Sequence, residues 1–372
     1  MLTPLDRERL QEALALAAEA IGRSDPNPRV GCVIGTAEGQ VWATGSTQAP
    51  GSAHAEAQAL ARARDQGLDL RGATAWVTLE PCAHHGRTPP CADALVNAGL
   101  ARVVVGAMDP FPQVNGQGLE RLRAAGMQVD VCASDDPLAQ ACRDLNIGFF
   151  SRFERGRPWL RMKVAASLDG RTALPNGTSQ WITQSPARAD GHAWRKRAGA
   201  VVSGIGTVLE DNPRLDVREV PTQQQPLRVI VDSKLQTPPQ AKVMEPPGKV
   251  LIYAAQVSAA SLGALQDQGA EVVVLPGPQG KVDLNAMVQD LGQRHINEVH
   301  IEAGHKLNGS LLKAGLIDEL LVYMAPMLLG EGREMAHLGA LTRLDEAWKW
   351  DKWEFTDVAR IGTDLRLRLK RL

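Results

Sequence analysis

Apolar runs of strand length alternate with stretches of helical periodicity along the whole chain. That alternation confines it to layered α/β architecture. Leu10, Leu14, Ala17, Ala18 and Ile21 recur at helical spacing before Gly22. Residues 30–34, 41–44, 74–79, 102–106 and 127–131 then read as strands, and 54–64, 91–98 and 119–125 as helices. A second series follows. Its strands are expected at 160–165, 200–203, 227–231, 250–253, 271–275, 298–301 and 319–323, and its helices at 186–197, 258–268, 284–294 and 307–314. Ser185 before Pro186 has the form of a capped helix start. The alternating tail, 348–369, reads as a closing hairpin, and Gln223, Gln224 and Gln225 as an exposed loop.

Residues 151–158 contain Arg152, Glu154, Arg155, Gly156, Arg157 and Pro158 and read as the linker between the series. Since 372 residues exceed one ordinary core, two domains are expected, 1–150 and 151–372. The 41 Lys plus Arg nearly cancel the 42 Asp plus Glu, which argues against a nucleic-acid partner. No apolar run reaches membrane-spanning length and the first residues lack a signal-peptide layout, so no membrane partner and a cytoplasmic location are expected. A homo-oligomer is expected as well. Five cysteines, an odd and sparse count, argue against a disulfide framework. Cys32, Cys132 and Cys142 lie in apolar surroundings and read as packing residues.

Cys82 and Cys91 have a different setting. Ala53-His54-Ala55-Glu56 is followed by Thr78-Leu79-Glu80-Pro81-Cys82, then by Gly86-Arg87-Thr88-Pro89-Pro90-Cys91. One imidazole and two thiolates, His54, Cys82 and Cys91, make a three-ligand zinc set with a fourth position open for water. Two thiolates offset much of the metal charge, so a nearby base is needed, and Glu56 is the candidate. Cys91 is expected to open a helix, whose dipole favours a thiolate. Any one of these residues alone would read as ordinary core; their joint placement reads as a site. His84 and His85 are rival ligands, and a fourth protein ligand would make the site structural.

His-Ala-Glu with a downstream Pro-Cys resembles the cytidine deaminase superfamily. The eight residues between Cys82 and Cys91 depart from the two-residue gap of nucleobase deaminases. That longer gap, with Gly-Arg-Thr-Pro-Pro-Cys and the early Pro26-Asn27-Pro28-Arg29-Val30-Gly31, resembles the deaminase half of bifunctional riboflavin biosynthesis enzymes. The resemblance implies a cytidine-deaminase-like three-layer domain. It also implies a small phosphorylated pyrimidine substrate, a diaminopyrimidinone ribosylamine 5′-phosphate, deaminated by zinc-activated hydroxide with Glu56 shuttling protons. The Asn27 region and the loop between the cysteines would shape the pocket. Arg87 reads equally as a phosphate contact or a solvated loop residue.

The second half lacks Gly-x-Gly-x-x-Gly after its first strand, so it is not a plain dinucleotide-binding fold. Gly204-Ile205-Gly206-Thr207 and Gly304-His305-Lys306-Leu307-Asn308-Gly309 each follow a strand and lead into a helix whose N-terminus can hold phosphate. Such turns are weak signals alone, because glycine is also needed there for backbone reasons. Longer strings carry more: Lys163 to Arg171, Ser179-Gln180-Trp181-Ile182-Thr183, Gly206 to Leu215 and Val231-Asp232-Ser233. They resemble the reductase half of the same enzymes, a dihydrofolate-reductase-like domain that reduces ribosylamine to ribitylamine with NADPH. By that resemblance Ala165, Trp181, Thr207, Asp211, Ser233 and the run Gly304, His305, Lys306, Leu307, Asn308, Gly309 and Ser310 contact the cofactor. Ser179, Arg195, Leu215, Arg218 and Glu302 would face substrate, with Lys163, Asp211 and Glu302 in polar catalytic roles. The family pattern has a small or hydroxyl residue where His305 stands, which leaves the choice between NADPH and NADH open.

Two other classes compete. A nucleic-acid deaminase acting on a flipped base would explain the zinc motif, but not the second series or the balanced charge. A zinc-stabilised interaction module would have no use for Glu56.

Overall fold

The computed structural model describes residues 2–83, 89–350 and 352–372. The chain forms two compact units, Met1–Arg155 and Gly156–Leu372. The first unit contains α1 (Pro4–Ala18), β1 (Gly31–Gly35), β2 (Val41–Ser46), α2 (Ala55–Asp65), β3 (Thr74–Val77), α3 (Cys91–Asn97) and β4 (Arg102–Val105). It ends with α4 (Gln117–Ala124), β5 (Gln128–Val131), α5 (Pro137–Leu145) and α6 (Ile147–Arg155). The strand order is β2-β1-β3-β4-β5. β1 runs antiparallel to both its neighbours, and β3, β4 and β5 are parallel.

Strand alternation divides this unit into three layers. Cys32, Ile34, Ala75, Val77, Val103 and Val105 face one way, onto Ala59 of α2, Leu95 of α3 and Leu122 of α4. Val33, Trp76 and Val104 face the other way, onto Leu10 and Ala13 of α1 and Leu138 of α5. Cys32, Cys132 and Cys142 are buried, as read.

The expected linker is helical as far as Arg155. Phe149 and Phe150 of α6 are buried in the first unit's core and Phe153 packs against it, so the charged residues after them continue a helix that those rings anchor. A reading based on charge and proline overlooked that anchor.

The second unit contains β6 (Trp159–Ser167), β7 (Arg171–Ala173), α7 (Ser185–Arg197), β8 (Ala200–Gly204), α8 (Ile205–Asp211) and β9 (Leu227–Val231). Next come β10 (Val250–Ala254), α9 (Ala259–Gln266), β11 (Ala270–Val274), α10 (Leu284–Gln293), β12 (Glu298–Ile301) and α11 (His305–Lys313). β13 (Glu319–Ala325), β14 (Arg333–Glu334), β15 (Trp353–Ile361) and β16 (Asp364–Arg371) complete it. The main sheet has the order β11-β10-β9-β8-β12-β6-β13-β16-β15. All neighbours are parallel as far as β13; β16 and β15 add the antiparallel closing hairpin. α7 begins at Ser185 itself. Gln184 is the cap residue, and no side chain caps the helix, so Ser185 is not the capping hydroxyl its place before Pro186 suggested.

One face of this sheet is apolar throughout. Leu160, Met162, Val202, Val229, Leu251, Val299 and Ile301 pack against Met287 and Leu291 of α10 and Leu311 of α11. On the other face the apolar packing comes in two parts. One lies over β8, β9 and β10; the other joins Leu321 and Tyr323 of β13 to Ala187 of α7. The register places a ladder of ionisable residues between them, Arg161 and Lys163 on β6 beside Glu298 and His300 on β12. Arg161 is fully buried and pairs with Glu298 at 3.0 Å and with Glu319 at 2.8 Å. At its upper end this ladder meets the cavity described below.

Candidate functional site

In the first unit, three side chains converge at the carboxyl ends of the strands. His54 is the cap residue of α2, Cys82 follows β3, and Cys91 is the first residue of α3. The His54 Nδ1 lies 3.6 Å from the Cys82 sulfur and 3.4 Å from the Cys91 sulfur. The ligand atoms all lie within 4.8 Å of one another. A soft imidazole–dithiolate set at this spacing fits tetrahedral zinc with one position left over. The Cys91 N–H donates to the Cys82 sulfur at 3.3 Å. A bond from the Cys91 thiol, with smaller contributions from His54 and the Cys91 N–H, holds the Cys82 thiol well below its usual range against burial, while Cys91, hydrogen-bonded to Cys82 and buried, is pushed up. Glu56, in the first turn of α2, is buried, and burial followed by the nearby Cys82 pushes its carboxyl up to about 7. A carboxyl poised there is suited to taking and giving a proton near neutral pH.

Residues to which the motif reading assigns no role hold this site together. Glu80 is buried and accepts backbone N–H bonds from Gly116 and Gly118 at 3.0 Å and from Asp109 at 3.3 Å. It thereby ties the start of α4 to the strand end that carries Cys82. A side chain on Gly118 would lie 2.0 Å from the Pro81 carbonyl oxygen, so this close approach requires glycine. Arg121 of α4 donates to the Ala83 carbonyl at 2.7 Å and pairs with Asp93 of α3 at 2.9 Å, gripping both cysteine-bearing segments. Burial pushes Asp109 up to about 7. The Asn27 N–H donates to the Ser24 carbonyl in the turn before β1. His84, His85 and Arg87 lie outside the described residues.

The second unit holds a cavity of about 460 Å³, of the size usual for small-molecule sites. It lies at the carboxyl ends of parallel strands, where open α/β sheets bind ligands. Lys163, Ala165, Ser179, Trp181, Arg195, Thr207, Asp211, Leu215, Arg218, Glu302, Gly304, His305 and Asn308 line it. Lys306, Leu307, Gly309 and Ser310 belong to α11 but not to this lining. Ser233 is also outside it, and its hydroxyl accepts from the Val282 N–H at 3.2 Å. α8 and α11 begin at Gly204 and Gly304 without side-chain caps, which leaves N–H groups for an anionic ligand.

Glu302 is the electrostatic centre of the cavity. Arg195 grips it with two bonds, from Nε to Oε1 and from Nη2 to Oε2 at 2.9 Å, and the Lys163 ammonium lies 3.8 Å away. Burial alone would raise its pKa, but Arg195 and Lys163 outweigh that and hold the carboxyl well below its usual range. Burial pulls Lys163 down, against the attraction of Glu302. Asp211 is the exposed last residue of α8; partial burial raises its pKa while a 3.4 Å bond from Ser179 lowers it.

Two histidines escaped the sequence reading. His300 is fully buried, with Nε2 3.3 Å from Glu302. His192 is buried in the cavity wall. Gln225 is no idle loop residue. Its side-chain amide accepts from the Val217 N–H and donates to the Val217 carbonyl, both at 2.8 Å, as a strand partner would.

Residues 4–107 match the model of the cytidine and deoxycytidylate deaminase zinc-binding region, and residues 158–367 match that of the RibD C-terminal domain. Riboflavin biosynthesis protein RibD of Escherichia coli (strain K12) is 40% identical to this chain, over 98% of this chain and 99% of its own length. The structure of Acinetobacter baumannii RibD, form 1, is 39% identical and superposes with a TM-score of 0.87 over 99% of both chains. A diaminohydroxyphosphoribosylaminopyrimidine deaminase/5-amino-6-(5-phosphoribosylamino)uracil reductase from Thermotoga maritima is 30% identical, with a TM-score of 0.87 and 99% of both chains covered. Both units therefore have the expected α/β classes, a cytidine-deaminase-like domain followed by a dihydrofolate-reductase-like one. With both domain models matched in order and curated relatives aligned end to end, this chain belongs to the RibD family of riboflavin biosynthesis proteins.

Proposed function

We propose that the chain carries out two consecutive steps of riboflavin biosynthesis, one in each unit. The first is hydrolytic deamination of the diaminopyrimidinone ribosylamine 5′-phosphate. The second is reduction of the resulting 5-amino-6-(5-phosphoribosylamino)uracil to its ribityl form. The observation that carries the reading is the convergence of His54, Cys82 and Cys91 beside the buried carboxyl of Glu56. A purely structural zinc site has no use for such an acid, and a nucleic-acid deaminase has no use for the cavity in the second unit.

His54, Cys82 and Cys91 would hold zinc, whose charge would let a water give up its proton readily and so attack the ring as a nucleophile. Glu56 takes the attacking water's proton and passes it to the ring nitrogen; it then takes the proton of the newly formed ring hydroxyl and gives it to the departing amine, so that the carbonyl forms as the carbon–nitrogen bond breaks and ammonia leaves. Glu80 and Arg121 hold the segments that bear the cysteines. In the second unit NADPH supplies the hydride. Thr207, Gly304 and Asn308 would hold that cofactor, a reading supported by their place in the cavity lining. Arg195 and Arg218 bind the substrate's phosphate and sugar oxygens. Glu302 fixes Arg195 and Lys163, and Lys163 is the proton donor as the ribosyl ring opens and its anomeric carbon accepts hydride. The proposal includes a cytoplasmic homo-oligomer. No helix among the described residues is long and apolar enough to cross a membrane.

The test supplies purified protein with the diaminopyrimidinone and NADPH and follows ammonia and NADPH together. One ammonia released and one NADPH consumed per substrate is expected. Ammonia release without NADPH consumption removes the reductase half of the reading; no ammonia release removes the deaminase half.

A further inference from the structure

The segment 212–219 forms one wall of the second cavity and has an unfavourable backbone shape. Asn212 and Leu215 have φ angles of 43° and 56°, a region that L side chains rarely occupy. Such a segment keeps its shape only where its surroundings impose it. Several fasteners are visible. Leu215 is buried, Gln225 brackets Val217, and Arg195 donates to the Asp216 carbonyl at 2.9 Å. Asp216 is itself buried and gathers Arg214 at 3.0 Å and Arg218 at 2.8 Å.

The last fastener is His192. It stands three residues before Arg195, on the same face of α7. Its Nδ1 accepts the backbone N–H of Arg218 at 3.2 Å, which assigns the ring proton to Nε2, 3.6 Å from Glu219. Burial together with Arg195 and Arg218 keeps the imidazole uncharged, with a pKa down to about 4. A protonated ring would have no lone pair for Arg218.

We infer that His192 is a positioning residue for phosphate recognition: by accepting the Arg218 N–H it sets the backbone that aims Arg218 at the 5′-phosphate of the reductase substrate. The inference rests on the reductase reading above and adds to it a residue outside the motif strings. His192 need not touch the substrate. It acts through Arg218, so its loss is felt only by a substrate that carries the phosphate.

The test compares reduction of 5-amino-6-(5-phosphoribosylamino)uracil with that of the same compound lacking its phosphate, in the full-length protein. His192→Leu leaves the Arg218 N–H without its acceptor, and KM for the phosphorylated substrate should rise about tenfold, the scale of one lost hydrogen bond. The kcat should stay within about twofold, and KM for the unphosphorylated compound should not move. His192→Asn can set its Oδ1 near the place of Nδ1 and should restore most of the affinity. Should His192→Leu fail to fold, as judged by circular dichroism and by ammonia release in the first unit, His192→Gln is read by the same rule. Equal losses on both substrates, a fall confined to kcat, or no rescue by Asn overturns the inference. Wild-type protein assayed in parallel keeps the two questions apart. If it oxidises NADPH with the phosphorylated substrate, the reductase reading stands whatever His192 does.

Discussion

Glu56 lies in the first turn of α2, just past the ligand that caps it, and its burial does two things at once. It places the carboxyl against the metal position and raises its proton affinity into the range where acid–base transfer is useful. Glu56→Gln keeps the shape and removes the proton carrier. It should retain zinc and lose deamination by a factor on the order of 100 or more. Zinc content and ammonia release measured on the same sample decide it, and a normal rate would show that the shuttle is elsewhere. His192 gives a second prediction, of opposite electrostatic sense. Its pKa is about 4 in the fold against an ordinary 6.5, so below pH 6.5 the unfolded chain binds a proton that the folded chain refuses. Its contribution to stability is complete above pH 6.5 and is lost as pH falls towards 4. His192→Asn should therefore show a shallower fall in melting temperature over that window, and an unchanged slope would refute the shift. The zinc ligands were legible because few chemistries use one histidine and two cysteines in that setting. Glu80, Arg121 and His192 were not, because residues that hold backbone groups in place have no periodicity and no preferred spacing. Their roles appear only when distant loops are brought together.

At the scale of elements, short apolar runs between stretches of helical periodicity foretold most strands and the α/β class, because a strand covered on both faces is apolar along its whole length. They did less well where packing overrode composition. The end of α6, residues 151–155, reads as part of a linker because its charges are visible in sequence and the burial of Phe149 and Phe150 just before it is not. The short helix α5 carries too few turns for a periodic signal, whereas α8 is legible only from the glycine turn that leads into it. One exacting contact between elements is that of α4 with the segment bearing Cys82. Gly118 there leaves no room for a methyl group against the Pro81 carbonyl, while its N–H is held by Glu80. Gly118→Ala should push α4 outward at a cost of about 1–3 kcal/mol, the usual scale of overpacking. It should also speed zinc loss to a chelator, since the same movement loosens Arg121 from Ala83 and Asp93. A variant that melts and releases metal like the parent would mean that α4 does not restrain the site.

Across the whole molecule, the two chemistries are kept in separate cores. His54, Glu56, Cys82 and Cys91 all belong to the unit Met1–Arg155, and every residue lining the reductase cavity belongs to Gly156–Leu372. Each unit has its own sheet and its own buried apolar cluster, so each has the means to hold its site rigid. The two activities should therefore be separable by substitutions that spare both cores. Cys82→Ser removes one of three metal ligands and should abolish ammonia release. It should leave NADPH oxidation intact when the already deaminated intermediate is supplied. For the converse, Asp211 is a better target than Glu302. Removing Glu302 would leave Lys163 and Arg195 buried without their partner, a change that costs several kcal/mol and confounds folding with function. Asp211 is exposed, and its hydrogen bond to Ser179 is long at 3.4 Å. Asp211→Ala should fold, release ammonia at the normal rate and oxidise NADPH more slowly. Circular dichroism must first show that both variants are folded. If folded Cys82→Ser then loses NADPH oxidation on the deaminated intermediate as well, the reduction depends on the metal site and the two units do not work independently.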